Sequence, residues 1–421
     1  MYKFHPTPNN VVTGIIKKHL PRKTIHVLEP SVGDGALING ICLKKNSLLA
    51  VDLDPSKVSY IKNFFSGHKL EVICANFLEL NFSEEKFDLV ICNPPFDGKN
   101  CITYQGATLP LEAAFLLKSI SLCKDNGRLI FVLPGSVVQG SRLSKFREML
   151  CQQVQLKYSY KLSKFVFTDI EGEFSVLIFD KNVKPVPTVF ISQSGYKIVG
   201  EVGKVTDTWS FDAEEIHAEV ELKSKLLSSE FRYVEFDSVF NVTRGKVTSD
   251  YNSAGHFHTT NVALQSKCSL SDAVKSSHKI DNPYLICFGD FYIKRVSRGL
   301  CDSLSIYSGD TQPFTDCIIK ITPKQNFDKA SMFFSLMVLL QDTNVKNILQ
   351  KGSGAKYLDV RRLKKLQLPI GLENEFKIYY LKFIDGNHED RIEIARKINL
   401  LLSNKKIPKV ISSEKLQVKT A

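Results

Sequence analysis

The stretch Phe87–Phe96, FDLVICNPPF, restricts the fold more than any other part of the chain. Leu89, Val90, Ile91 and Cys92 form a short unbroken apolar run, which stops at Asn93-Pro94-Pro95-Phe96. An apolar run without polar alternation reads as a strand buried on both faces, the pattern of an inner parallel strand. Neither proline can donate to a ladder, so the strand must end there. Its carboxyl end then presents an amide, two rigid rings and an aromatic face. Open α/β sheets place their ligands at that end of the strands. The bland alternative is a plain Pro-Pro terminator, which has no need of this order of residue types.

The flanking sequence supplies the rest of such a sheet. Val11, Val12, Ile15 and Ile16 fall at helical spacing over Asn10–His19, behind the turn-forming Thr7-Pro8-Asn9. Thr24–Glu29 reads as a strand running into Pro30-Ser31-Val32-Gly33-Asp34-Gly35, and the apolar Ala36, Leu37 and Ile38 predict the helix of an opening βα unit. Glycines in that turn let a ligand approach the backbone. Leu48–Leu53 predicts a second strand carrying Asp52, placed where an acid of such folds meets ribose hydroxyls. Leu70–Cys74 predicts a third strand and delivers Asn76 and Phe77 at its end. A helix over Leu111–Leu122 is expected to close at Asn126-Gly127, before a strand over Arg128–Leu133 that Pro134 stops. Leu143–Leu150 reads as helix, and Gln155–Leu162 and Phe174–Phe179 as strands. This alternation predicts an α/β class with a doubly wound, mostly parallel sheet.

Composition sets the outer limits. A length of 421 residues suggests more than one domain. The formal charge of +12 and pI near 9.0 favour an anionic partner such as nucleic acid. The ten cysteines are scattered singly with no CxxC pair, so neither a metal site nor disulfides are expected. No signal-peptide pattern or membrane-length apolar run occurs, and the expectation is a soluble, cytoplasmic protein with no membrane partner.

After Lys181 the α/β pattern lapses. Thr188–Val205 reads as an added strand pair, and Ala213–Leu227 as a bridging helix. From Tyr233 on, short β-like runs alternate with Gly, Asn, Ser and basic residues, notably around Arg244 and Lys246, then Lys294, Arg295 and Arg298, then Lys356. Such loops suit phosphate contact and groove entry, although any one cluster is equally a solvated face. Glu373–Leu402 is a helical pattern broken near Asp385-Gly386-Asn387. The expected divisions are a catalytic domain at 1–183, connecting strands and helix at 184–232, a recognition domain with its C-terminal helix at 233–403, and a disordered tail at 404–421.

The residues resemble a known family. Glu29-Pro-Ser-Val-Gly33-Asp-Gly35 looks like the cofactor signature of S-adenosyl-L-methionine (AdoMet)-dependent methyltransferases, and Asn93-Pro94-Pro95-Phe96 like the catalytic tetrad of enzymes that methylate exocyclic or amide nitrogen. With Thr7-Pro8 ahead of the glycine turn and a long region after the tetrad, the order resembles the gamma class, the TaqI-like adenine-N6 DNA methyltransferases of restriction–modification systems. The second half looks like the mixed α+β target-recognition domain that these enzymes share with Type I specificity subunits.

The resemblance implies AdoMet as cofactor, held by Thr7, Pro8, Glu29, Ser31, Gly33, Gly35, Asp52, Asn76, Phe77 and Phe115. It implies a flipped adenine stacked on Phe96 and backed by Phe167, with Phe165 as local rival to Phe167. Asn76 departs from the family pattern, where Asp is usual. For DNA contact the candidates are Arg244, Lys246, Lys294, Arg295, Arg298 and Lys356. Double-stranded DNA is the implied partner, with a separate restriction endonuclease or other defence subunit beside it. The competing readings are a glutamine or ribosomal-RNA methyltransferase that shares the tetrad, and a non-catalytic DNA-binding specificity module.

Overall fold

The computed structural model describes residues 7, 9–82, 86–96, 101–164, 166–167, 172–248, 255–261, 270, 282–324, 327–352 and 355–404. Pro8, Phe165 and the tail beyond residue 404 therefore lie outside the described residues. The chain divides into two compact units, which meet between His217 and Ala218.

The first unit is built on eleven strands: β1 (His26–Glu29), β2 (Ser47–Asp52), β3 (Leu70–Cys74), β4 (Phe87–Cys92), β5 (Cys101–Tyr104), β6 (Ala107–Pro110), β7 (Cys123–Pro134), β8 (Val154–Lys161), β9 (Phe174–Lys181), β10 (Thr188–Ile191) and β11 (Lys197–Gly200). Its helices are α1 (Asn9–His19), α2 (Pro55–Phe64), α3 (Leu111–Leu122), α4 (Gly135–Val138), α5 (Ser144–Gln153) and α6 (Ala213–Ser228), the last crossing the division between the units. Nine strands form one sheet in the order β11-β10-β8-β9-β7-β4-β1-β2-β3. β3, β2, β1, β4 and β7 run parallel, and β9 is inserted antiparallel between β7 and β8.

The apolar run of β4 sits at the centre of this sheet, with Leu89, Val90, Ile91 and Cys92 wholly buried. Burial on both faces explains its continuous hydrophobicity, because helices cover a parallel sheet above and below. Strand order reverses between β1 and β4, which makes their carboxyl ends the crevice for a ligand. β10 and β11 continue the same sheet beyond β8.

Two local expectations need correction. The apolar run after Gly35 forms a 3₁₀ turn over Ile38–Gly40, not the opening helix of a βα unit. α1 packs there instead: a Cβ on Gly40 would lie 2.9 Å from Ile16 Cγ2. Asn126-Gly127 does not close α3, which ends at Leu122, but bends the early part of β7. The register against β4 jumps there from Phe87↔Cys123 to Leu89↔Arg128, and Asn126 takes a positive φ of 59°. The hairpin β5–β6 turns on Gln105 and Gly106, both at positive φ, a pair without the Asn-Gly or Asp-Gly signal that marks such a loop in sequence.

In the second unit an antiparallel sheet orders Phe240–Arg244, Ile318–Pro323, Phe291–Lys294 and Ser305–Ile306. The helix Lys329–Gln341 is buried from Ala330 to Gln341, and its Phe333, Phe334, Leu336 and Met337 join Phe291, Ile293, Ile319 and Ile321 in one core. An element apolar on all sides has no solvent face to present, so it is enclosed. The helices Lys377–Asp385 and His388–Asn404 part where Gly386 and Asn387 break the pattern.

Candidate active site

The parallel strands deliver their carboxyl ends to one edge of the sheet, and the candidate residues gather there by topology. Glu29 ends β1, Asp52 ends β2, Asn76 follows β3 and Asn93 follows β4. β9 runs the other way, so its first residue, Phe174, lies at that same edge.

Asn93 is held at three points. Its Nδ2 donates to Thr7 Oγ1 at 2.8 Å, its main-chain oxygen accepts from Ser31 Oγ at 3.0 Å, and the strand behind it is buried. Ser31 Oγ also meets Cys92 Sγ at 3.3 Å. With Nδ2 spent on Thr7, the amide oxygen is turned the other way. Asn93 Oδ1 is buried and has no hydrogen-bond partner among the described residues. A buried acceptor left without a donor costs about 1–3 kcal/mol, so the site holds a standing demand for an N–H. Pro94 is buried and Pro95 half-buried, which fixes the backbone beyond the amide.

A second acceptor without a partner among the described residues lies at the end of β1. Glu29 is buried, and its Oε2 has no hydrogen-bond partner among the described residues. Burial, and then the charge of nearby Asp52, push its carboxyl well above the usual range. Asp52 in turn uses Oδ2 to accept from Gly33 N at 2.8 Å, with Gly33 at a positive φ of 51°. This bond ties the glycine turn to the tip of β2, and Asp52 Oδ1 accepts from Asp54 N at 2.9 Å. A buried acid without a donor among the described residues, near a second acid, suits a cationic group such as the ammonium or sulfonium of AdoMet. The buried Asn93 oxygen suits an N–H group of a second molecule.

The remaining cofactor candidates separate into two kinds. Asn76 is half-buried and already engaged: Oδ1 accepts from Leu78 N at 3.1 Å and Nδ2 donates to Glu79 Oε1 at 2.7 Å. An Asp at this position would lose the second bond and face Glu79 as a like charge, a local reason for the amide. Phe77 and Phe115 are both buried, with ring centroids 5.2 Å apart. Lys118 lies 5.1 Å from the Phe77 ring and donates to the carbonyls of Leu78 and Leu80, fixing the loop that carries Asn76.

Phe96 and Phe167 are brought together with Phe174. Phe96 meets Phe167 edge to face at 6.2 Å and Phe174 at 5.1 Å, and both Phe96 and Phe167 are buried. The rings interlock rather than standing parallel. Beneath this group lies a charged cluster with no sequence signal, because its members are far apart in the chain. Lys161, at the end of β8, pairs with Asp212 at 2.6 Å and Glu173 at 2.9 Å, and all three side chains are almost wholly enclosed. Burial alone would lower the lysine pKa, but the two carboxylates prevail and hold it above the ordinary range. The cluster joins the two ends of the segment that carries Phe167.

In the second unit, six basic candidates from three distant stretches share a neighbourhood. Arg244 and Arg295 both bond Asp316, Lys246 follows Arg244, and Lys294 pairs in register with Ile318. Lys356 lies opposite Ser297, next to Arg298. Lys246 Nζ also sits 4.8 Å from the ring of the exposed Tyr284. Among the described residues no group of three or more His, Cys, Asp or Glu is placed to hold a metal, and no helix is long and apolar enough to cross a membrane.

Residues 43–167 match the model of the Eco57I restriction-modification methylase family, a span that includes Asp52, the tetrad and Phe167 but not the glycine turn. Over 208 residues the chain is 24% identical to the Type II methyltransferase M.CvrRI of Paramecium bursaria Chlorella virus XZ-6E, covering 47% of this chain and 52% of the relative. Over 113 residues it is 30% identical to the probable ribosomal RNA small subunit methyltransferase A of Methanosarcina mazei, covering 24% and 41%. Among solved structures, the Type I restriction-modification methyltransferase subunit of Streptococcus thermophilus aligns at 19% identity and a TM-score of 0.39, over 46% of this chain and 48% of that one. The chain spans about half or less of the length of these curated relatives. S-adenosylmethionine is the cofactor that the matched family implies. Residues 43–167 thus form an Eco57I-type restriction-modification methylase domain, homologous to a Type II methyltransferase.

Proposed function

We propose that the protein is a site-specific DNA methyltransferase that moves the methyl group of AdoMet to the exocyclic amino group of an adenine swung out of duplex DNA. The observation that carries this reading is the buried, unpartnered Asn93 Oδ1, fixed by the bond from its own Nδ2 to Thr7. An adenine amine is a weak nucleophile because its lone pair is delocalised into the ring. An acceptor aimed at one of its hydrogens, with the Pro94 carbonyl at the other, draws that pair back onto nitrogen. AdoMet supplies an already electrophilic methyl, so the site needs no strong general base.

Glu29, Ser31, Gly33, Gly35 and Asp52, with Thr7 and Pro8, are the proposed cofactor contacts, and Asn76, Phe77 and Phe115 the adenine side of that pocket. Phe96 offers the stacking face for the flipped base and Phe167 its second wall. To admit a base, the two rings must give up their edge contact; Phe174 already packs against both. Arg244, Lys246, Lys294, Arg295, Arg298 and Lys356 are the proposed DNA contacts, and a separate nuclease or specificity subunit is the proposed assembly partner. Incubation with tritiated AdoMet and unmethylated duplex DNA, followed by nucleoside analysis, tests the whole reading. Label in N6-methyladenine is expected; label in cytosine, or in protein, overturns it.

The similarity to a ribosomal RNA methyltransferase favours a second reading, methylation of an unpaired adenine in RNA. The basic surface of the second unit serves either substrate. Label appearing in ribosomal RNA and not in DNA would select this reading.

A further inference from the structure

We infer that Arg244 reads the edge of a guanine in the recognised sequence and that Asp316 holds it in the reading position. This rests on the DNA reading above and adds to it a specific base and a specific pair of residues.

The argument begins with the backbone. Gly245 is pressed against the stretch 314–316, where a Cβ would come within 2.5 Å of the Thr315 carbonyl carbon. Lys246 N donates to Phe314 O at 3.2 Å and Asp316 N donates to Lys246 O at 2.9 Å, so the two segments are laid side by side. His258 Nδ1 meets Thr315 Oγ1 at 2.7 Å and braces the stretch from its other flank. Main chain fixed this closely suits a side chain that must arrive at one place.

The two arginines then differ. Arg295 is committed inward: Nε donates to Asp316 O at 2.6 Å, Nη2 donates to Asp316 Oδ2 at 2.8 Å, and its main chain bonds Cys317 and Leu358. Its side chain is only 22% exposed. Arg244 is 51% exposed and donates through Nη2 alone, to the same Oδ2 at 2.7 Å. One of the five N–H donors of its rigid fork is thus spent on Asp316. Arg295 and the carboxylate form the mount; Arg244 is the part presented.

A shared carboxylate decides what is read. A residue meant only to attract phosphate gains from being an uncompensated cation, and Lys246, over the Tyr284 ring, and Arg298 make no ion pair among the described residues. Here one acid offsets half the charge of the pair and in return sets the direction of the exposed fork. Direction matters for a base edge. Guanine shows two adjacent acceptors, O6 and N7, in the major groove, and a planar guanidinium matches them together.

Single-molecule sequencing of methylated DNA first gives the recognised site. Duplexes carrying 7-deazaguanine at each guanine of that site in turn then remove the N7 acceptor while keeping pairing and charge. At one guanine the wild-type protein should lose about 5- to 150-fold in binding. R244Q should show a similar loss on the natural duplex and no further loss on the substituted one. D316N should bind DNA with unchanged salt dependence but reduced discrimination at that position. A site without guanine, or R244Q weakening all duplexes equally with a shallower salt slope, overturns the inference in favour of a phosphate contact. Equal discrimination by R244Q and wild type, with both methylating DNA, also overturns it. Absence of DNA methylation by the wild-type protein instead sinks the reading on which it rests.

Discussion

The sheet edge of the first unit and the charged surface of the second solve opposite problems with the same kinds of group. At the edge, polar atoms are buried and two acceptors, on Asn93 and Glu29, have no donor among the described residues. On the surface, cations are exposed and the one central acid is saturated by two arginines. A chemical site must keep its demand unmet until the substrate arrives, which requires enclosure and a fixed backbone. The proposed recognition surface must stay hydrated to meet DNA, and its acid sets the direction of a basic side chain. The difference also shows in the chain: the edge draws on short contiguous motifs, whereas the surface collects single residues from segments far apart.

The strongest test of this contrast is Lys161→Met. If the edge depends on enclosed pairing, leaving the buried Asp212 without the Lys161 cation, while Glu173 keeps Lys164, should cost about 3–5 kcal/mol in urea unfolding. A loss typical of a surface pair would remove the distinction between the two regions. Next, Asn93→Ala should lower the methyl-transfer rate by about 10²–10³-fold while AdoMet affinity, read by calorimetry, moves by no more than a few-fold. Equal loss in both would mean that the amide holds the cofactor rather than the amine. In the second unit Gly245→Ala should destabilise by about 1–3 kcal/mol through overpacking against Thr315. An unchanged urea midpoint would show that the reading segment is not rigid.

The mildest expected effect concerns pH. Because the Glu29 carboxyl is raised in the folded protein, the stability it contributes is complete below the ordinary carboxylate range and is lost as pH rises through its raised value. Glu29→Gln should flatten that decline in the ligand-free protein. AdoMet binding to the wild type should release a proton, visible as a buffer-dependent heat, and the variant should not show it.

Much of the first unit was legible because strand, turn and strand-end residues lie next to one another in the sequence. The continuous apolar run of β4 and the prolines after it fix both the strand and what its tip presents. The exceptions are instructive. The opening helix was overridden by the packing of α1 on Gly40, and Asn126-Gly127, a helix stop by local rules, became a bend inside a strand because β4 pairs on both sides of it. Lys161, Glu173 and Asp212 could not be linked beforehand, since nothing local marks two carboxylates 12 and 51 residues away as partners. For the same reason Arg244 and Arg295 read as equivalent basic residues until Asp316 was seen between them.

The pairing of an immovable glycine with a projecting arginine has an evolutionary reach. Position 245 has no room for a Cβ, while the Arg244 side chain is half exposed and held by Asp316, so the fixed turn and the projecting group are set by different codons. Drift or engineering can rewrite the second without disturbing the first. A library randomised at 244 alone is therefore the natural starting material for enzymes with altered target preference.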